Sequence, residues 1–272
     1  MHTRISPDNP YRYSRWCFAW EHVSAGAGAH LDFGCNKGEF LNRLRDKKCG
    51  RLVGVDVSEE AVKQGHQLFP GLEIIKTGES AQLPFEDASF ESITVLDVLE
   101  HVYEQREILA ELNRVLKDGG KLIVTVPGRH FFSFLDMGNF KFRFPRLHRW
   151  YYCLRHSREE YEYRYVSNPD GLIGDVSGKK WWHQHFSRTE MQKLLTEAGF
   201  DVIDFDGAGF FGRVIGNVGY FFKWLKPAHR ALGRLQRFDS RLFESTHLFC
   251  VVKKIGLPKK PGGIDVFNPV CE

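Results

Sequence analysis

The sequence predicts an α/β fold, Rossmann-like, with a seven-stranded, mostly parallel sheet and helices on both faces. Three observations carry this. Short apolar runs alternate with amphipathic stretches from residue 29 to residue 127, at the intervals of strand–helix–strand crossovers. A turn bearing Gly34 and Gly38 follows the first apolar run directly and opens a helix. The alternation stops at Pro127 and resumes at Ser187, so an insertion separates the fifth strand from the next helix.

Residues 11–23 are mixed and aromatic, and read as a short N-terminal helix over the turn. Residues 29–33 form the first strand. A helix follows from about Lys37, where Phe40, Leu41 and Leu44 recur at helical spacing. Residues 51–56 are the second strand, and Ser58 is an N-cap for a helix through Gln67. The third and fourth strands are 72–76 and 90–96. Glu104 to Leu116 carries Ile108, Leu109, Leu112, Val115 and Leu116 on one stripe, and Asp118-Gly119-Gly120 stops it before a fifth strand at Lys121–Val126. Ser187-Arg-Thr-Glu190 is a capping box for a helix that Gly199 ends. Strands at 200–206 and 247–253 complete the sheet. The expected division is an N-terminal helical segment (1–28), the α/β domain (29–128 and 186–254), the insertion (129–185) and a Pro/Gly/Lys-rich disordered tail (255–272).

Composition narrows the function classes. The chain has 272 residues and a net charge of +4, too modest for a general polyanion binder. Its six cysteines include no Cys-x-x-Cys pair, so neither a zinc ribbon nor a redox motif is indicated. No apolar leader opens the sequence, and no apolar run reaches the roughly 18 residues of a membrane span. The reading is a cytoplasmic protein with reduced thiols.

Residues 30–56 point to a nucleoside-containing cofactor. Strand, glycine turn, helix start, second strand and terminal Asp56 together put backbone N–H groups and a ribose-binding acid at one sheet edge. The nicotinamide pattern G-x-G-x-x-G fails, because its frame reads Gly34, Asn36, Glu39. An acidic-x-G-x-x-x-G frame fits Asp32, Gly34 and Gly38 instead, and here the chain resembles the class I S-adenosylmethionine-dependent methyltransferases. Asn36 replaces the middle glycine of that family's first motif, a mild departure because Asn tolerates left-handed backbone. Further matches follow in order: Asp56 with Val57 after it, Glu79-Ser80-Ala-Gln-Leu-Pro-Phe85, Asp97-Val-Leu-Glu-His-Val102 and Arg114-Val-Leu-Lys-Asp-Gly-Gly120. The resemblance implies that Asp32 sits near the cofactor's methionine ammonium and that Gly34 and Gly38 let the backbone approach it. It also implies that Asp56 accepts both ribose hydroxyls, that Glu79 and the Ser80 backbone contact the adenine, and that Asp97 lines the site.

Methyl transfer mainly requires alignment, and an oxygen acceptor also needs a base. His101, after the fourth strand, and His183 and His185, in Trp181-Trp-His-Gln-His-Phe186, are the candidates; His130 follows the fifth strand. A metal reading is also open. Asp97, Glu100 and His101 fall at i, i+3, i+4, one helical face, and resemble the E-x-x-E-H ligands of small-RNA 2′-O-methyltransferases and ubiquinone-pathway O-methyltransferases. His183 or His185 would complete that set around Mg²⁺ or Mn²⁺.

The insertion reads as a substrate cap. Phe140-Lys-Phe-Arg-Phe-Pro-Arg-Leu-His-Arg-Trp150 interleaves cations with aromatics, which suits sugars, bases or phosphate. Downstream, Arg230, Arg234, Arg237 and Arg241 share one stripe of a helix that follows an aromatic segment, so two readings of 207–243 stand: a peripheral contact with the inner membrane surface, or a helix packed on its own sheet with its arginines in water. The expected acceptor is a sugar, a glycan or glycolipid, or another small molecule. The competing functions are an RNA methyltransferase, disfavoured by the low charge and the lack of an RNA-binding module, and a non-catalytic cofactor-binding module.

Overall fold

The computed structural model describes residues 15–78, 81–102, 104–129, 144–167, 184–208 and 247–255, with isolated residues between 225 and 235. In chain order these form α1 (Arg15–His22), β1 (Ala29–Phe33), α2 (Glu39–Arg43), β2 (Arg51–Asp56), α3 (Glu59–Leu68), β3 (Glu73–Lys76) and β4 (Phe90–Leu96). After these come α4 (Gln105–Val115), β5 (Leu116–Pro127), α5 (Pro145–Cys153), α6 (Arg158–Tyr161), α7 (Arg188–Glu197), β6 (Phe200–Ala208) and β7 (His247–Lys254).

The seven strands lie in the order β3-β2-β1-β4-β5-β7-β6. Strands β1 to β5 pair in parallel, whereas β7 runs antiparallel to both β5 and β6. The chain leaves β1 in one direction across the sheet and returns to β4 in the other. A crevice therefore opens at the carboxyl ends of β1 and β4, where ligands of open α/β sheets bind.

Period-two alternation fills both faces. On β5, Leu122, Val124 and Val126 enter one core and Ile123 the other; on β7, Leu248, Cys250 and Val252 oppose Phe249 and Val251. The first core takes Ile108, Leu109, Leu112 and Val115 of α4 with Met191 and Leu195 of α7. The second takes Phe18 and Ala19 of α1, Phe40 and Leu41 of α2, and Val62 of α3. Lys47 and Arg43 sit over the rings of Trp20 and Trp16, holding α1 against the end of α2.

The local signals act where expected. Ser58 Oγ accepts from the Ala61 N–H, and Ser187 and Glu190 form a complete capping box. Asp118-Gly119-Gly120 differs from its expected role. It lies within β5 as a bulge between the pairs Phe90↔Leu116 and Ser92↔Lys121, so strand pairing begins at Leu116. Between β5 and α7 the described residues include the helices α5 and α6. Pro145 opens α5 in the first turn, where its missing N–H costs nothing. The inner face of α5 puts His148 and Tyr152 against Tyr161 and Tyr165. Among the described residues no helix is long and apolar enough to cross a membrane. The proposed membrane segment 207–243 and the tail fall mostly outside the described residues.

Candidate functional site

The turn after β1 is built around one carboxylate. Asp56, at the end of β2, is buried; its Oδ2 accepts from the Asn36 N–H at 2.7 Å and its Oδ1 from the Ser58 N–H at 3.0 Å. The Gly34 and Cys35 N–H groups both donate to Val55 O, at 2.9 and 3.0 Å. This geometry needs left-handed backbone at three alternate residues: Gly34 (φ +74°), Asn36 (φ +51°) and Gly38 (φ +79°). Asn36 fills the middle one with its Oδ1 accepting from the Lys37 N–H at 2.9 Å. The missing glycine of the motif is thus conformationally satisfied, and the one observation that favoured a non-catalytic module loses its force. Val57, next to Asp56, is exposed.

Asp32 lies on β1 beside this turn, and its Oδ1 accepts from Thr94 Oγ1 at 2.6 Å. Burial raises its carboxyl to about 7; the Thr94 hydrogen bond opposes the rise, Asp56 adds to it and Arg15 opposes it. The folded value exceeds the ordinary 3.8, so the fold holds a proton that the unfolded chain releases. This group's stabilisation is complete below about pH 4 and disappears as pH rises through about 7. Asp32→Asn is therefore expected to melt higher than the unliganded parent at pH 8, with the gap closing towards pH 4. Thermal denaturation across that range checks it, and a parent that melts as high as the variant at pH 8 would contradict it. A cationic ligand would find the opposite merit in Asp32, as the nearest buried anion.

Asp97 follows β4 in left-handed backbone (φ +57°). Its Oδ1 accepts from Thr125 Oγ1 at 2.7 Å and pairs with His247 Nε2 at 2.9 Å, and its Oδ2 is paired with Arg15. Burial acts to raise this carboxyl, but His247, Arg15 and Thr125 outweigh it and hold it down at about 2. Asp97 thus ties α1 and β7 to the crevice edge.

This arrangement corrects the metal reading. Only Leu99–His101 forms a 3₁₀ turn, and Asp97 precedes it in left-handed backbone, so Asp97, Glu100 and His101 do not share a helical face. Glu100 is buried, its carboxyl raised by burial and by Asp97, while the His101 side chain is substantially exposed with Nε2 3.8 Å from Glu100 Oε1. Among the described residues no group of three His, Cys, Asp or Glu converges on a point that would hold a metal ion, His185 included. His183 lies outside the described residues, as do His130, Glu79 and Ser80.

His185 reaches the same edge as His101. Phe186 bridges Gly128 at the end of β5, and the Gln184 N–H donates to Glu100 O at 3.3 Å. His185 Nδ1 lies 2.9 Å from Gly128 O. A carbonyl can only accept, so Nδ1 carries the proton and Nε2 is the basic nitrogen of the neutral ring.

The loop that carries Leu83 and Phe85 is held from α4. Glu111 Oε1 accepts from the Leu83 N–H at 2.7 Å, and Arg114 donates to Leu83 O, Phe85 O, Glu111 and Asp87. The i, i+3 spacing of Glu111 from Arg114 is visible in the sequence, but its place in this clamp is not. Nor is the setting of His30. It is buried on β1 between Ser92 and Thr94, and no local pattern announces contacts with residues 62 and 64 positions away.

Residues 31–124 match the family model described as "Methyltransferase domain". A Mycolicibacterium smegmatis protein named "Probable S-adenosylmethionine-dependent methyltransferase" is 33% identical over 112 residues, covering 41% of this chain and 42% of that protein. The demethylmenaquinone methyltransferase of Staphylococcus aureus is 29% identical over 177 residues, covering 62% and 66%. The chain spans less than two thirds of the length of these curated relatives. Among solved structures, a SAM-dependent methyltransferase of Methanosarcina mazei superposes with a TM-score of 0.52 at 18% identity, covering 86% of this chain and 95% of that one. An S-adenosylmethionine-dependent methyltransferase of Mesorhizobium loti superposes with a TM-score of 0.54 at 13% identity, covering 89% and 98%. At such identities the two superpositions speak to the fold alone.

Proposed function

We propose that the chain is a class I S-adenosylmethionine-dependent methyltransferase and that it methylates an oxygen of a sugar, a lipid-linked glycan or a related small molecule. The observation that carries the cofactor half is Asp56. A carboxylate offers about four acceptor positions. Among the described residues two backbone N–H groups occupy it, which orients both oxygens and leaves capacity for two ribose hydroxyls. The chain's other residues fit the same ligand. Gly34 turns the chain in left-handed backbone with Val98 packed where a Cβ would stand, and Asp32 is a buried acid suited to an ammonium.

Bound S-adenosylmethionine supplies an electrophilic methyl group on a cationic sulfur. The protein must then hold an acceptor in line with it and remove the acceptor's proton. His185 is the base we assign, with Nε2 receiving that proton and the Gly128 carbonyl holding Nδ1–H and the ring orientation. His101, on the adjoining turn, is the second candidate. Support for a sugar-bearing acceptor comes from the insertion, where α5 carries exposed Trp150 and Tyr151 among Arg146 and Arg149. The metal-assisted RNA reading loses its main support with the carboxylate–histidine face.

The test is methyl-labelled cofactor incubated with fractionated cell extract. Label is expected in the glycan, glycolipid or small-metabolite fraction. Label confined to RNA or protein would overturn the acceptor class. With the acceptor in hand, His185→Asn is expected to lower kcat about a hundredfold, the range of one general base, with cofactor affinity unchanged. A kcat within twofold of the parent would remove His185 from the role.

A further inference from the structure

A buried polar chain crosses the centre of the sheet. His30 on β1 is fully buried, with Nδ1 2.7 Å from Ser92 Oγ and Nε2 3.1 Å from Thr94 Oγ1, both on β4. Thr94 Oγ1 is in turn 2.6 Å from Asp32 Oδ1. Ser92, His30, Thr94 and Asp32 are all less than 5% exposed. At its far end Ser92 lines a cavity of about 270 Å³ at the opposite edge of the sheet, with Gly120 and Lys121. Aliphatic side chains would pack here at no polar cost, so four consecutive hydrogen-bonding groups call for a reason.

The hydrogen count along this chain allows two consistent arrangements. When Asp32 is ionised it can only accept, so Thr94 must donate to it. Thr94 has one hydroxyl proton, so its oxygen then accepts from His30 Nε2–H, and His30 Nδ1 accepts from Ser92. When Asp32 is protonated and donates, every bond reverses: Asp32 to Thr94, Thr94 to His30 Nε2, and His30 Nδ1–H to Ser92. A doubly protonated ring fits neither pattern, and burial keeps His30 neutral by lowering its value to about 3.

We propose that His30 is a positioning residue for cofactor binding, whose ring tautomer is coupled through Thr94 to the charge on Asp32. The proposal rests on the reading that Asp32 faces the methionine ammonium of S-adenosylmethionine. Binding the cation ionises Asp32, draws Thr94 into donating, and locks His30 as the Nε2–H tautomer. One carboxylate oxygen is then held by Thr94 while the other addresses the ligand. The protons balance as one hop per hydrogen bond: Asp32 passes its proton to Thr94, Thr94 its own to His30 Nε2, His30 its Nδ1 proton to Ser92, and Ser92 releases one proton to solvent in the cavity it lines. The other titratable groups facing Asp32 are Asp56 on β2, Cys35 in the turn and Arg15 on α1. Burial, together with Asp32 and Asp56, pushes the Cys35 thiol far up, so it stays neutral.

The test is ¹⁵N NMR of histidine-labelled protein, with the His30 signals identified by their loss in His30→Gln. Without ligand, His30 is expected to pass from the Nδ1–H to the Nε2–H tautomer as pH rises from 5 to 8, and Asp32→Asn should abolish the change. Adding S-adenosylmethionine at pH 6 should produce the Nε2–H form directly. A single tautomer at every pH and in the presence of bound cofactor overturns the proposal. Calorimetry supplies a second readout: His30→Leu should weaken S-adenosylmethionine about tenfold, the scale of one buried hydrogen bond, and change the pH dependence of binding. Ser92→Ala, a smaller change, should shift that pH dependence in the same sense. Unaltered affinity and pH profile in both variants also overturn it. If the parent binds no S-adenosylmethionine, the cofactor reading falls, while the unliganded titration still decides whether His30 and Asp32 are coupled.

Discussion

Asp56→Ala is expected to weaken S-adenosylmethionine binding by about a hundredfold to ten-thousandfold. The estimate follows from two charge-assisted hydrogen bonds to ribose hydroxyls, at about 1.5–3 kcal/mol each in a site shielded from water. The substitution also releases the Asn36 and Ser58 N–H groups that Asp56 now holds. Part of the loss therefore arises through a loosened turn, because Asn36 sits in left-handed backbone that the Asp56 bond helps to maintain. Asp56→Asn separates the two contributions. It retains a carbonyl oxygen for one N–H group but loses the negative charge, so it should keep more of the thermal stability than of the affinity. Titration calorimetry with denaturation of both variants checks this. An Asp56→Ala protein that binds the cofactor as tightly as the parent would show that the ligand lies elsewhere.

Gly34→Ala is expected to abolish measurable cofactor binding and to destabilise the fold by about 2–5 kcal/mol. Two costs add. At φ +74° an alanine pays about 1–2 kcal/mol for left-handed backbone. Its Cβ would also lie 2.3 Å from Val98 Cγ2, a contact that must be relieved by moving the segment after β4, at about 1–3 kcal/mol. That segment leads into Asp97, Glu100 and His101 on one side, and the Gly34 N–H is anchored to Val55 on the other, so the relief distorts the crevice from both edges. Val98→Ala in the same protein removes the contact but not the backbone cost, and should recover about half of the lost stability. Urea unfolding of the single and double variants measures this. Parent-like stability in Gly34→Ala would mean that the turn after β1 differs from the one described.

Much of this architecture was legible because it is local. Strand β1, the glycine turn and Asp56 lie within residues 29–56, and their spacing alone implies a nucleoside at the sheet edge. Ser58 and the Ser187–Glu190 box announce helix starts through contacts three residues long. Asn36 was readable as a tolerated glycine substitute because its left-handed preference is intrinsic to the residue. What escaped notice depends on contacts across the fold. The pairings of Asp97 with Arg15 and with His247 join residues 82 and 150 positions apart, and they turn Asp97 out of the helical face its spacing suggests. The left-handed break at Asp97 has no sequence signature, so a spacing of i, i+3, i+4 mimicked a ligand set that the backbone does not form. Likewise Asp118-Gly119-Gly120 reads as a stop, yet pairing with β4 draws it into β5 as a bulge. The reversal of β7 between β5 and β6 is a property of the sheet, not of any segment.

The electrostatics of the site follow the same division. Asp32 and Asp97 both sit at the crevice edge, yet their carboxyls move in opposite directions, one up to about 7 by burial and the other down to about 2 by its cationic and hydroxyl partners. Asp97 adds stability that is present above its ordinary range near 3.8 and is lost as pH falls through about 2. Asp32 removes stability across the neutral range in exchange for an anion where a cationic ligand would need one. A fold that tolerates this cost at the carboxyl end of β1 is consistent with selection for binding at that point.

The most direct test is a co-crystal structure with S-adenosylhomocysteine, the demethylated product. The account predicts the ribose hydroxyls within hydrogen-bond reach of Asp56, with the amino-acid end beside Asp32 and the Gly34 turn. Clear density for the nucleoside at any other edge of the sheet, or a ribose out of reach of Asp56, would contradict it.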